Sequence, residues 1–278
     1  MLEIVFVFVP AMLVFILGVA LGSFGNVLVY RYRSGVSLGG RSRCLSCGTT
    51  LTPIDLIPLL SYLLSRGRCR HCGSRFSAQY PLVELAAGVL AVIVLSVSRV
   101  DLLVAVPSSI GLFFLDLALW EMLLVLAVYD IRHKIIPDGF VIAAALIGIL
   151  RMIMAFFLLT HGGQEIPLFD MSFAWWWNVF AGPLLALPFA LLWFFSGGRW
   201  MGLGDAKLAL VFGTAFGLAY GLTGIILGFW VGAFSSILLL LFRGRSFTMK
   251  SEIPFAPFLV LGMLIVYIFG INIVYWTL

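Results

Sequence analysis

The sequence predicts an all-α polytopic membrane protein, with about eight transmembrane helices and a small four-cysteine loop module on one face. Three observations predict it. Hydrophobic residues make up 63% of the 278 and charged residues only 10%, against about 25% charged in a soluble globular domain. Apolar stretches near the bilayer-spanning length of about 20 residues recur along the chain. The one long polar interval, 31–80, holds all four cysteines. So few charges cannot cover a water-facing surface, and lipid is therefore the solvent for most of the chain.

The apolar stretches fall at 5–29, 82–98, 102–129, 139–159, 174–196, 207–220, 222–242 and 255–277. The first is preceded by Glu3 as the only charge and by no basic residue, and it outruns a signal-peptide core. It reads as a retained anchor with the N-terminus outside. The third is long enough to include a surface piece. Only a turn separates the sixth from the seventh. The organisation that follows is a first transmembrane helix (1–30), a cytoplasmic zinc-binding loop (31–80) and a transmembrane body (81–278).

Orientation follows from the basic residues. Eight arginines lie between 31 and 75, and seven more Lys and Arg sit in three other connections. With alternating spans, these fifteen of the seventeen share one face, leaving only Arg99 and Arg151 elsewhere. The positive-inside rule makes that face cytoplasmic. The net charge of +5 is thus a topology signal, and no nucleic-acid partner is expected. The loop arginines also suit anionic lipid.

Cys44-Leu-Ser-Cys47 and Cys69-Arg-His-Cys72 are two CxxC knuckles. Such a pair places four thiolates around a tetrahedral ion, the arrangement Zn²⁺ prefers. A pair of disulfides is the competing use, disfavoured where cytoplasmic thiols stay reduced. A closed four-cysteine site has no open coordination position, so its zinc would be structural, with His71 a bystander. The module alone is equally compatible with a docking platform that has no catalytic role.

The acids discriminate. Asp130 ends the third stretch and Asp205 opens the sixth, within Gly202-Leu203-Gly204-Asp205-Ala206-Lys207. Both fall at the cytoplasmic edge, where an ionisable residue is a functional-site candidate. Two carboxyls sharing a site keep one proton between them, giving a base for water and an acid for a leaving amine. The plainer alternative for each is a helix-end residue at the interface. Gly202 and Gly204 allow close backbone approach. Gly213, Gly217 and Gly221 recur every four residues, as do Gly224, Gly228 and Gly232, a spacing that lets helices pack closely in lipid. Extended backward through Ala209, the first row reaches Asp205 and turns it toward a neighbouring helix. Asp138 follows Pro137 and suits the cap of the fourth helix. Asp116 and Glu121 lie deeper, about 21 and 13.5 Å from Asp130, and Arg151 on the next helix is expected to pair with one of them. HExxH and P-loop motifs are absent from the sequence.

These motifs resemble the type IV prepilin leader peptidases along nearly the whole chain. Gly22-Ser23-Phe24-Gly25-Asn26-Val27 is similar to the family's GSFxNV segment, Asp130–Asp138 to its DxxxxxxPD motif and Gly202–Asp205 to its GxGD motif. Ile253-Pro254-Phe255-Ala256-Pro257-Phe258 resembles the closing PFxP segment, with Ala256 where many relatives carry Gly. The resemblance implies a GxGD intramembrane aspartic protease of a prokaryotic cytoplasmic membrane, with Asp130 and Asp205 as the catalytic pair. It implies prepilin and type II secretion pseudopilin substrates, cut after Gly at the membrane edge. It also implies N-methylation of the new terminus with S-adenosylmethionine, an activity associated with the four-cysteine loop. Gly202, Gly204, Lys207 and Asp138 would support the pair from within the motifs, and Glu84 matches a family position of unassigned role. The residues themselves identify no methyl-donor site, since a loop of about 50 residues cannot hold a Rossmann domain.

Overall fold

The computed structural model describes residues 2–35, 37–98, 107–162, 176–243 and 253–273. Arg99, Arg245, Lys250 and the end of the eighth stretch lie outside them. The described regular structure is helical, in two compact units, Met1–Ser96 and Val97–Leu278. Among the described residues six helices are long and apolar enough to cross a membrane, and a seventh apolar helix is shorter. The protein is a multi-pass membrane protein.

The first unit contains α1 (Leu2–Arg31), a 3₁₀ turn at Pro53–Leu56, the short α2 (Leu60–Leu64) and α3 (Gln79–Ser98). Helices α1 and α3 meet through small residues. A Cβ on Gly18 would strike the Ala87 carbonyl and the Ala91 methyl, and one on Gly22 would strike Ala87. Where α1 ends, Asn26 donates to the Tyr80 carbonyl at 3.2 Å, and the Tyr30 and Tyr80 rings stack 5.0 Å apart. Arg31 then gathers the loop, with its guanidinium donating to the carbonyls of Ser37, Leu38, Gly40 and Arg41.

The second unit contains α4 (Pro107–His133), α5 (Asp138–Gly162), α6 (Trp176–Ser196), α7 (Leu203–Arg243) and α8 (Ala256–Phe269). The apolar 40 residues of α7 would span about 60 Å, twice a hydrocarbon core. The helix is broken at Gly217, where φ is 76°, a value glycine adopts without a Cβ penalty. One long element thus covers the sixth and seventh expected stretches, broken a few residues before the expected turn. Asn178 on α6 accepts the Leu218 N–H at 3.1 Å, and Arg151 on α5 donates to the Ala215 carbonyl at 2.9 Å. Polar backbone groups on both sides of the break therefore have partners, as the bilayer interior requires.

The break corrects the expected glycine ridge. Gly213, Gly217 and Gly221 all pack closely on α6, against Ala181–Gly182, Asn178 and Leu185, but the break at Gly217 means they do not form one continuous helical ridge. The second row behaves as its spacing predicts. Gly224, Gly228 and Gly232 lie against Met263, Leu259 and Phe255, and Gly262 of α8 answers them.

Deep in this unit Arg151 pairs with Asp116, one of its two expected partners. Tyr267 donates to the second Asp116 oxygen at 3.4 Å, and the guanidinium lies 5.2 Å from the centre of the Phe216 ring. Buried charge persists when paired and hydrogen-bonded in this way.

Candidate active site and metal centre

Three chain segments singled out separately in the sequence meet in the second unit. Asp130 is buried near the end of α4. Its carboxylate accepts the Ala256 N–H at 3.1 Å. Ala256 is the first residue of α8, where backbone donors lack partners within the helix and the aligned peptides present partial positive charge. Pro257 contributes no N–H, so Ala256 supplies the donor at the very start of the helix. This backbone role was not visible in the sequence; its one signal was the pair of prolines, 254 and 257, marking a helix start.

Asp205 is the third residue of α7, half-buried and within electrostatic reach of Asp130. The structure brings its motif against the 130–138 segment. A Cβ on Gly204 would come within 3.0 Å of the Ile136 side chain, so glycine is needed there for close approach. A Cβ on Gly202 would make only an ordinary contact, 3.9 Å from the Gly204 nitrogen. Lys207 joins the segments again, 2.5 Å from the Asp138 carboxylate and 3.4 Å from the Ile136 carbonyl. Asp138 is the first residue of α5 and not its expected cap: Pro137 stands before it, its carbonyl accepting the Phe140 and Val141 N–H groups, and the Asp138 carboxylate instead engages Lys207. Two acids within mutual reach, one fixed by a helix N-terminus, can divide acid and base roles toward a bound water.

Glu84 belongs to the first unit. Buried in α3, it accepts the Leu59 N–H at 2.8 Å.

The four cysteine sulfurs lie within 4.8 Å of one another, with Cys44 and Cys72 3.8 Å apart. Tetrahedral zinc with bonds of about 2.3 Å separates sulfurs by about 3.8 Å, so the set is compatible with zinc. The two knuckles are built alike. The N–H groups of Gly48 and Gly73 return to the Cys44 and Cys69 carbonyls, each at 2.9 Å, and both glycines have positive φ. Bridges Arg43–Thr50 and Arg68–Arg75 close the two loops. A CxxCG reading of the sequence would have found these glycines. The Cys47 N–H, followed by the Ser74 hydroxyl, holds the Cys44 thiol down at about 6. The same hydroxyl is the main cause that lowers Cys72.

Residues 16–97 match the model of the bacterial peptidase A24 N-terminal domain, and residues 117–237 that of the type IV leader peptidase family. A prepilin leader peptidase/N-methyltransferase of Aeromonas salmonicida is 30% identical, with 96% of this chain aligned to 93% of that protein. One from Bacillus subtilis is 28% identical over 94% and 95%. One from Myxococcus xanthus is 42% identical over a shorter part, 40% of this chain and 35% of that protein. No solved structure matches the chain.

Proposed function

We propose that this chain, which belongs to the type IV leader peptidase family, cleaves the leader peptides of prepilins and type II secretion pseudopilins, with Asp130 and Asp205 as its catalytic pair. The observation that carries this reading is the convergence of 130–138, 202–207 and 253–258, with Asp130 anchored by the N-terminus of α8. One carboxylate takes a proton from water as the water oxygen attacks the carbonyl carbon of the Gly-Phe type bond. The partner carboxylic acid donates its proton to the leaving nitrogen as the C–N bond breaks, and the pair ends with one proton, as it began. The two acids act as one coupled unit.

Lys207 and Asp138 hold the two acid-bearing segments in register, and Gly204 lets them touch. Cys44, Cys47, Cys69 and Cys72 would hold a zinc ion that, when bound, ties the two knuckles together and takes no part in the hydrolysis. The basic residues support a cytoplasmic position for residues 31–80 in a prokaryotic inner membrane. N-methylation of the new terminus is supported by the names of the relatives and by the four-cysteine loop. The described residues of that loop form isolated bridges, a 3₁₀ turn and the short α2, with no βαβ unit of the kind that builds a Rossmann methyl-donor site.

The test is cleavage of a prepilin by the purified protein in detergent, comparing wild type with Asp130→Asn and Asp205→Asn. The proposal expects both folded variants to be inactive. Full cleavage by either would remove that residue from the pair, and no cleavage by wild type would favour a docking role.

A further inference from the structure

In the first unit, six large apolar side chains face outward over the eleven residues 54–64 of the polar loop. Ile54, Leu56, Ile57, Leu60, Leu63 and Leu64 are 43–69% exposed. A water-facing loop has no reason to display such a patch, and contiguous exposed apolar surface marks a contact site.

The position of the patch says what covers it. The stacked Tyr30 and Tyr80 rings lie at the loop ends of α1 and α3, where tyrosines favour the membrane–water interface. Glu84 is four residues further along α3, about 6 Å deeper into a spanning helix. Its carboxylate holds the backbone N–H of Leu59, in the middle of the patch. Leu59 itself has a φ of 61° and a ψ of −52°, a positive-φ conformation that leucine adopts only when its surroundings enforce it. The loop is therefore drawn down beside α3 to a level below the tyrosines. Arg66 and Arg68 follow the patch and are exposed, and Arg70 is tied back to Asp55 at 3.2 Å. Exposed apolar side chains followed directly in the chain by exposed cations match the acyl chains and anionic headgroups of a leaflet.

We propose that residues 54–64 form an interfacial anchor that seats the cysteine module on the bilayer, its six apolar side chains among the upper acyl chains and its arginines at anionic headgroups. The occupant is lipid of the same leaflet that α1 and α3 cross.

The experiment places an environment-sensitive fluorescent amino acid at Leu63 of the full chain. A second sample carries it at Leu45, which is 87% exposed on the first cysteine knuckle. Both are reconstituted in nanodiscs of phosphatidylethanolamine and phosphatidylglycerol, with a nitroxide high on a fraction of the acyl chains. The nitroxide lipid is expected to remove more than about half of the emission at Leu63 and little at Leu45, with aqueous iodide giving the opposite order. Equal quenching of both sites by iodide would overturn the proposal. Protection of Leu63 from both quenchers would also overturn it, since a protein surface would then cover the patch. Glu84→Ala, with zinc content verified, should raise iodide quenching at Leu63 at least about twofold. No change in that variant would show that the Glu84–Leu59 bond does not set the depth.

Discussion

The Asp130 carboxylate and the Ala256 backbone N–H, 126 residues apart in the chain, are joined by a hydrogen bond of 3.1 Å. The side chain that carries the proposed chemistry is therefore also the cap of α8. The two roles separate by substitution. Asparagine keeps an acceptor oxygen for the Ala256 N–H, whereas alanine removes it. Under the proposed function both variants lose cleavage. Only Asp130→Ala is expected to lose stability as well, by about 1–2 kcal/mol relative to Asp130→Asn, the usual value of an N-terminal cap. Thermal unfolding in detergent beside the cleavage assay measures both.

How much of this was legible in the sequence varies with the kind of signal. The apolar stretches and cysteine knuckles declare themselves because lipid and metal each demand a residue type at a spacing. The Asp130–Ala256 bond does not, because one partner is backbone. Gly217 was misleading, since a four-residue glycine spacing is compatible with a packing ridge and with a helix break. Arg151 had two acids at accessible depth. The structure shows why Asp116 prevails. It shares a face of α4 with Trp120, which meets Phe216 of α7, and Glu121 lies about 140° further round the helix.

That buried pair gives a second prediction. Arg151→Leu leaves Asp116 without its cation and the Ala215 carbonyl without its donor. The expected loss is about 3–5 kcal/mol. Arg151→Leu combined with Asp116→Leu removes both charges and should recover most of it. Denaturant or thermal unfolding of the single and double variants checks this, and additive losses would contradict a direct pairing.

Lys207 and Asp138 predict a smaller effect. Their ion pair is partly exposed, the Asp138 side chain at 61%, and such pairs contribute about 0–1 kcal/mol. Asp138→Ala should therefore leave the melting temperature nearly unchanged and retain measurable cleavage, in contrast to Asp205→Asn. Complete inactivity of a well-folded Asp138→Ala would move that residue into the catalytic group.

The cysteine centre predicts a proton count. Zinc binds thiolates, so binding displaces whatever protons the free thiols carry. Cys44, held at about 6 by the Cys47 N–H and the Ser74 hydroxyl, is already ionised at neutral pH, and Cys72 is lowered too. Zinc added to the metal-free protein at pH 7 should release about three protons or fewer, where four ordinary thiols would release nearly four. Calorimetry in buffers of different ionisation enthalpy measures the number. Ser74→Ala should raise it and weaken binding. By the same sign, the stabilisation from the Cys44 thiolate is full above its unfolded value near 9 and is lost as the pH falls through about 6.

The break at Gly217 has a consequence for how the chain tolerates change. Asn178 and Arg151 clamp it from two different helices, so the halves of α7 do not share one rotational phase. An extra residue inserted after Gly221 would turn everything downstream by about 100° and spoil the glycine face that meets α8, yet leave Asp205 aimed as before. The acid is insulated from errors of register in the longer half of its own helix.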